Sequence, residues 1–249
     1  MCDASLRAGR EQRPSFLLTA SLFAKVFESH RTRLYFAQVS NGFIDGDVEG
    51  ERRLPLVSIG LIAINVLIFL ADMRLPLSER GALSVNGLRH GHYWQLLTFQ
   101  FLHANWIHLL LNCWVTFVFA RPIEKFLGPL RLIVMYLVSG VAGGALQIVA
   151  WLLTRDIFPH EVVGASAGVF GLVAAFTYLF PDARMTLLLF FVIPVRMTAN
   201  RMLTVVSIIT VLGLVFPNWL LGTNVAHAAH LGGLITGLIF IRLLARRFR

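Results

Sequence analysis

The chain has 249 residues, of which 57% are hydrophobic and 14% are charged, and its formal net charge is +9. A soluble domain is nearer to half apolar and a quarter charged, so this composition, with a mean hydropathy of +0.72, excludes an ordinary soluble protein and indicates a membrane protein. The two cysteines, Cys2 and Cys113, are badly placed to pair and predict no disulfide framework.

Residues 1–53 contain no stretch that could span a bilayer. They carry many arginines and an acidic run, Asp45, Asp47, Glu49 and Glu51. We therefore predict that 1–53 is a cytoplasmic N-terminal tail and that 54–249 is the membrane core.

The core contains six apolar runs, separated by the proline, glycine and charged residues that end helices. A helix rises about 1.5 Å per residue, so a span needs roughly 17–25 apolar residues. The sequence thus predicts an all-α membrane protein with six transmembrane helices. The predicted spans are about 55–71, 105–120, 130–153, 166–180, 199–216 and 225–244.

The basic residues divide unequally between the two sides of such a bundle. With the N-terminus inside, eighteen of them lie in the tail, the inner loops and the C-terminus, while the outer segments keep Arg74, Arg80, Arg89 and Arg155. Basic residues favour the cytoplasmic side. We therefore expect both termini to be cytoplasmic in a bacterial inner or plasma membrane, and we expect the charge to reflect topology and not a nucleic-acid partner.

Two connecting segments are unusual. About thirty residues, Asp72 to His103, join the first two spans, and a loop of this length is usually functional or membrane-associated. We expect it to dip into the outer leaflet. The apolar run from Met185 to Val195 is too short to span and is expected to cap the inner face.

Polar side chains inside spans are functional candidates by default. Ser166 opens a short apolar helix and is surrounded by Gly164, Ala165, Ala167 and Gly168, so it can be approached closely. Fifteen residues cover only about 22 Å of a hydrocarbon core about 30 Å thick, which places Ser166 below the outer surface. Alternatively, Ser166 is an ordinary N-cap on a helix that packs through small residues.

His230 lies one turn before a glycine face made by Gly233 and Gly237. If this face meets the small face of the Ser166 helix, His230 comes within hydrogen-bond reach of Ser166 and can accept its proton. No carboxylate lies near either residue in the spans, so a dyad fits better than a triad. The alternative is a histidine bonded to the backbone, and His227 is expected to be only a neighbour.

His108 and Asn112 are four residues apart and share one helix face. Together with the N–H of Ser166, their side chains could stabilise the oxyanion of a tetrahedral intermediate. The alternative is that they bind neighbouring helices together.

Other intramembrane chemistries lack their residues. The spans contain no His-Glu-x-x-His motif and no pair of carboxylates. His103, His108, His227 and His230 are enough side chains to bind a metal ion, so a metal site is an alternative. However, the spans provide no cysteine or carboxylate ligand beside these histidines. We expect no metal and no cofactor, and the absence of an internal repeat disfavours a transporter.

From about Leu56 to its end, the chain resembles the rhomboid intramembrane serine proteases. Three motifs carry the resemblance in the family's order: Gly164-Ala165-Ser166, His108-x-x-x-Asn112, and Ala226 or Ala229 with His230 and Gly233. Phe170 resembles the aromatic residue that packs on the family's catalytic histidine. Glu124 and Gly128 resemble the family's Glu-x-x-x-Gly motif after its second helix, and His103 also resembles a residue of the family pattern.

Two positions depart from the family pattern. Ala167 stands where the family usually has glycine; a helical backbone should tolerate its methyl, which bears on how closely a neighbouring helix or a substrate approaches. Trp94-Gln95 replaces the family's Trp-Arg and lacks the fixed charge of arginine, so we expect changed loop anchoring.

The resemblance implies a rhomboid-like bundle around a water-accessible cavity and an enzyme that cleaves transmembrane segments of single-span or other membrane proteins in the bilayer. The roles implied are Ser166 as nucleophile, His230 as base, Asn112 and His108 at the oxyanion, with Gly164, Phe170, Gly233 and Gly237 in support. The alternatives are a non-catalytic binder of transmembrane helices and, less favoured, a small-solute transporter.

Overall fold

The computed structural model describes residues 54–154, 161–189, 193–216 and 225–247. The predicted cytoplasmic tail, 1–53, and Arg155 lie outside the described residues. Most of the described chain is helical. The long helices are α1 (Leu56–Asp72), α5 (Trp106–Leu127), α6 (Pro129–Thr154), α7 (Ser166–Leu179), α8 (Ala199–Val215) and α9 (His227–Arg247).

Each segment predicted to span the membrane coincides with one of these helices. By length and composition, α5, α6 and α9 can cross a bilayer, whereas α1, α7 and α8 are apolar helices of 10–17 residues. The structure is therefore a helical membrane protein with three candidate spans among the described residues. That the shorter helices also cross the membrane stays a prediction.

Exposed apolar side chains cover the outside of the bundle. Leu153 is 79% exposed, Leu130 72% and Trp114 61%, while Asn65, Gln147 and other polar side chains are fully buried. Water would disfavour this distribution, but a lipid environment favours it.

Helix α7 is the centre of the bundle, as predicted for the Ser166 helix. It packs against α5, α6, α8 and α9, and almost all of its residues are buried. A helix that is apolar on all sides and rich in glycine and alanine suits this position, because its small side chains let the neighbours come close.

The first loop is folded into short elements. They are α2 (Leu77–Gly81), β1 (Leu83–Ser84), α3 (Val85–Arg89), α4 (Gln95–Thr98) and a 3-10 turn (Phe99–Phe101). Strand β1 pairs with β2 (Glu161–Val162), which lies just before α7. The loop therefore supports the chain that leads to Ser166, and its insertion into the outer leaflet stays a prediction.

Gln95 anchors this loop without a charge. Its buried side chain accepts a hydrogen bond from the N–H of Ser84 (3.2 Å) and donates one to the carbonyl of Arg80 (3.2 Å). The side chain also fills the space beside Gly87, where a Cβ would collide with it. The amide thus provides both an acceptor and a donor, whereas a guanidinium only donates.

The segment after α7 is a β-hairpin made of β3 (Arg184–Leu189) and β4 (Ile193–Thr198). The strands are antiparallel, with Arg184 opposite Thr198 and Leu188 opposite Pro194. The prediction that this segment does not span the membrane agrees with the hairpin, but the purely helical prediction overlooked both two-stranded ribbons.

Helix α5 continues beyond its predicted end at residue 120. It reaches Leu127 and contains Pro122, and it ends at Gly128, whose φ is +85°. Arg121 lies within this helix, and its guanidinium lies over the Phe117 ring, 4.7 Å from the centroid.

The last turn of α5 stabilises the start of α1. The Glu124 carboxylate accepts hydrogen bonds from the N–H groups of Val57 (3.0 Å) and Ser58 (2.8 Å) and from the Ser58 hydroxyl (2.6 Å). The first N–H groups of a helix lack partners within it, and the preceding Pro55 provides no side-chain cap. A carboxylate from another helix therefore takes the role of the cap.

Replacing Glu124 tests this contact. Glu124→Gln keeps the shape but turns an acceptor into an N–H donor that faces other donors, so we expect the free energy of unfolding to fall by about 2 kcal/mol. Denaturant unfolding in detergent micelles measures the change, with Glu79→Gln as the control, since Glu79 is an exposed carboxylate on α2. Equal stability of the two variants would contradict the capping role.

Candidate active site

Ser166 is the first residue of α7, and the N-cap position belongs to Ala165. The N-cap interpretation of this serine is therefore wrong. Its Oγ instead lies 2.8 Å from Nε2 of His230, in the first turn of α9. Both residues are only partly buried, although most of their neighbours are buried.

Phe170 fixes the plane of the His230 ring. The two rings are stacked, with centroids 4.2 Å apart and an angle of 14° between their planes. Phe170 lies one turn after Ser166 on α7, so one helix carries the hydroxyl and also the surface that orients the imidazole. Among the described residues, no carboxylate forms a hydrogen bond to His230.

Small residues in two layers bring these helices together. In the first layer, a Cβ on Gly233 would collide with the carbonyl oxygen of Ala167, and a Cβ on Gly143 of α6 would lie 2.7 Å from the Ala167 methyl. The second layer lies one turn away from the first on each helix, where Gly171 of α7 lies between Gly237 of α9 and Ser139 of α6. A Cβ on Gly171 would collide with Ser139, and a Cβ on Gly237 would collide with Gly171. The distance between Ser166 and His230 follows from this backbone contact.

The Ala167 methyl is accommodated by a glycine of a neighbouring helix. Ala167 is 1% exposed, and the side facing its methyl is formed by Gly143, which has no side chain of its own. The Ala167 methyl therefore packs against Gly143 within the contact between α6, α7 and α9.

Gln147 of α6 is a contributor to which the sequence assigned no role. Its fully buried Oε1 accepts a hydrogen bond from the N–H of Ala229 at 3.2 Å. Ala229 precedes His230 and belongs to the first turn of α9, where N–H groups have no partner within the helix. A glutamine in an otherwise apolar helix was the available signal, but its partner is 82 positions away.

His108 borders the approach to Ser166. A Cβ on Gly164 would lie 2.7 Å from Nε2 of His108 and 3.7 Å from Oγ of Ser166. Gly164 has a φ of +134°, a region that other residues rarely adopt, and its N–H donates to the carbonyl of Phe99 at 2.9 Å. The backbone before Ser166 is therefore held by the first loop and requires glycine next to His108.

Asn112 is buried and uses one hydrogen of its amide on the carbonyl of His108, 3.0 Å away. A side-chain amide has two such hydrogens, so this bond fixes its orientation and leaves one donor. Behind His108 lies His103, with ring centroids 5.2 Å apart in an edge-to-face arrangement. Burial, together with the nearby His108, lowers the pKa of His103 to about 4, so this ring is neutral at pH 7.

His227 lies in a different environment from His230. It is 2% exposed, its Nε2 has no hydrogen-bond partner, and its ring fills the space beside Gly213 of α8. It contacts His230 edge to face at 6.2 Å. Within the described residues, no three side chains of His, Cys, Asp or Glu come close enough to hold a metal ion.

The contact between α7 and α9 can be tested with matched glycine substitutions. Gly237→Ala overpacks the contact with Gly171, so we expect it to lower the free energy of unfolding by about 1–3 kcal/mol. Gly60→Ala on α1 is the control, because no atom lies within 4 Å of the added Cβ, and it should raise stability by up to about 1 kcal/mol. Unfolding in detergent micelles measures both, and effects of equal sign and size would contradict the close approach.

Comparison with known proteins agrees with this architecture. The Rhomboid domain family model matches residues 90–247. Rhomboid-like protein 11 of Arabidopsis thaliana, a chloroplast protein, is 30% identical over 75% of this chain and 64% of its own length. The mitochondrial presenilin-associated rhomboid-like protein A of Danio rerio is 27% identical over 80% of this chain and 49% of its own length.

A bacterial relative, rhomboid protease GluP of Bacillus subtilis, is 26% identical over 63% of this chain and 27% of its own length. The chain thus spans less than two thirds of the length of each of these relatives. The family model covers more than half of the chain and includes Ser166, His230, His108 and Asn112. This chain belongs to the rhomboid family.

Proposed function

We propose that this chain is an intramembrane serine endopeptidase that cleaves transmembrane segments of membrane proteins with a Ser166–His230 dyad. The observation that carries the proposal is the 2.8 Å contact between Oγ of Ser166 and Nε2 of His230 in a half-buried position. A serine hydroxyl is a weak nucleophile until a neighbouring base accepts its proton. The name of the relative from Bacillus subtilis, a rhomboid protease, supports the same activity.

The reaction follows from the two side chains. Oγ of Ser166 attacks the carbonyl carbon of the scissile peptide bond while its proton passes to Nε2 of His230. The protonated ring then donates this proton to the leaving amine, which leaves an ester between Ser166 and the N-terminal part of the substrate. Water attacks the ester with His230 again as base, and the acid product is released.

The oxyanion formed in each step needs hydrogen-bond donors. The proposed donors are the backbone N–H of Ser166, the imidazole of His108 beside Gly164, and the amide hydrogen of Asn112 that the bond to the His108 carbonyl leaves over. The N–H of Ser166 is one of the unpaired groups at the start of α7. Donors fixed before the substrate arrives stabilise a developing charge best.

The substrate has to present an unwound peptide bond. A transmembrane helix hides its carbonyl groups in hydrogen bonds to residues four positions later. We therefore propose that substrates carry small or helix-breaking residues near the outer interface, where Ser166 lies.

The proposed setting is a bundle of six transmembrane helices in a bacterial inner or plasma membrane, with both termini in the cytoplasm. The excess of basic residues on the inner side supports this orientation. The relatives from Arabidopsis thaliana and Danio rerio are named as chloroplastic and mitochondrial proteins. The bacterial membrane is therefore part of the proposal. In this orientation the proposed active site opens to the outer side of the membrane, from which water for the hydrolysis of the ester would enter.

Substitution of the dyad tests the activity directly. We expect Ser166→Ala and His230→Ala each to lower the cleavage rate of a single-span substrate in liposomes by at least about 10³-fold, because both groups act in the same step. Ser207→Ala on α8 is the matched serine control and should cleave normally. A fluorophosphonate probe should label the unaltered protein at Ser166 and should fail to label Ser166→Ala.

Cleavage that persists in both dyad variants would exclude this mechanism. Normal binding of the substrate without cleavage by the unaltered protein would instead identify a non-catalytic binder of transmembrane helices. Solute uptake that survives both substitutions would indicate a transporter.

The oxyanion donors give a smaller and graded effect. We expect Asn112→Ala to lower kcat by about 10²–10³-fold with little change in KM, since the bond to the oxyanion exists only in the transition state. Asn86→Ala, an exposed asparagine on α3, is the control. An increase in KM at constant kcat would assign Asn112 to substrate binding instead.

A further inference from the structure

A shallow groove with a volume of about 430 Å³ lies where the hairpin joins α8. It is formed by the end of β4 and the first two turns of α8, away from the Ser166 site. We call it the basic groove, and its lining residues are Arg196, Met197, Asn200, Arg201, Thr204 and Val205.

Two positive charges dominate this groove. Arg196 and Arg201 are both exposed, and among the described residues neither forms an ion pair with a carboxylate. A guanidinium donates up to five hydrogen bonds and matches the geometry of a phosphate. The groove therefore attracts an anion with several oxygen atoms.

The attraction comes from the side chains and not from the start of α8. The N–H groups of Ala199 and Asn200 already donate to the carbonyls of Ala183 (2.9 Å) and Pro181 (3.0 Å). The N–H of Arg201 donates to the Thr198 hydroxyl at 3.4 Å. Because these backbone groups have partners, an anion would be held by the two guanidinium groups.

An apolar stripe continues from the groove along α8. Val205, which lines the groove, is 44% exposed, and Ile208 and Leu212, one and two turns further on, are 53% and 38% exposed. These residues lie on one face because they are three or four positions apart. A charged site that opens onto an apolar stripe of the same helix matches the shape of an amphiphile.

We propose that the basic groove binds the phosphodiester head group of an anionic glycerophospholipid from the inner leaflet, with an acyl chain along Val205, Ile208 and Leu212. The proposal rests on the proposed topology, which puts the start of α8 at the cytoplasmic surface. Anionic lipids are attracted to basic sites there. It does not involve Ser166 or His230.

The test uses the full chain and two lipids. Binding of phosphatidylglycerol and phosphatidylcholine to the purified protein in neutral detergent is measured by native mass spectrometry. We expect phosphatidylglycerol to bind more tightly. Arg196→Ala and Arg201→Ala should each weaken its binding by about fivefold, and the double variant by about 25-fold.

Arg184→Ala is the matched control. Arg184 is exposed on the same hairpin, opposite Thr198, but does not line the groove, so its loss should change binding by less than about twofold. Arg196→Gln with Arg201→Gln is a second double variant if the alanine protein fails to fold. Equal weakening by Arg184→Ala and by the groove variants, or equal binding of both lipids, would overturn the proposal.

Two further measurements distinguish a lipid head group from a free phosphate ligand. They are competition by soluble glycerol phosphate and binding of phosphatidylglycerol to the Ile208→Ser variant. For a lipid, glycerol phosphate should compete poorly, and Ile208→Ser should weaken phosphatidylglycerol binding. Full competition by glycerol phosphate with no effect of Ile208→Ser would overturn the lipid and identify a free phosphate ligand. Ser166→Ala should bind lipid normally, so loss of protease activity and loss of lipid binding are separable results.

Discussion

The backbone contact between α7 and α9 is the interaction on which the site depends. Lipid tails are as apolar as leucine, so helices in a membrane gain little from burying apolar surface and associate through close packing. Here the close packing has two layers, Ala167 with Gly143 and Gly233, and Gly171 with Ser139 and Gly237. The spacing of four residues within each helix repeats the contact after one turn. Ser166 and His230 lie at the open end of this stack, so their distance is determined by the packing below them.

Among the described residues, the Ser166 and His230 pair is oriented without a carboxylate. In a soluble triad, a carboxylate fixes the imidazole. In this chain Phe170 lies against the face of the His230 ring, and Gln147 holds the first turn of α9 through the N–H of Ala229. Both contacts act on orientation alone, since neither adds a charge.

The sequence predicted the helices and the meeting of Ser166 with His230, because hydrophobic runs and small-residue faces are local patterns. It did not predict two polar contacts between distant segments, both of them at helix starts. Glu124 bonds to Ser58 across 66 positions, and Gln147 to Ala229 across 82. The end of α5 was also missed, since Arg121 and Pro122 interrupt the apolar run although the helix continues through both to Leu127. Ala167 looked like a misfit because the glycine that accommodates it, Gly143, lies on another helix.

Glu124 and Gln147 have the same role at two helix starts, because each accepts a hydrogen bond from an N–H group that has no partner within its own helix. One is charged and the other is neutral, and their positions explain this difference. The unpaired N–H groups at the start of α1 and α9 each receive an oxygen from a different helix. At α1 the oxygen belongs to a carboxylate, which the positive end of the helix dipole stabilises. At α9 a carboxylate would lie one residue from His230 and would favour the imidazolium ion over the neutral ring. The amide of Gln147 binds the start of α9 without placing a charge there.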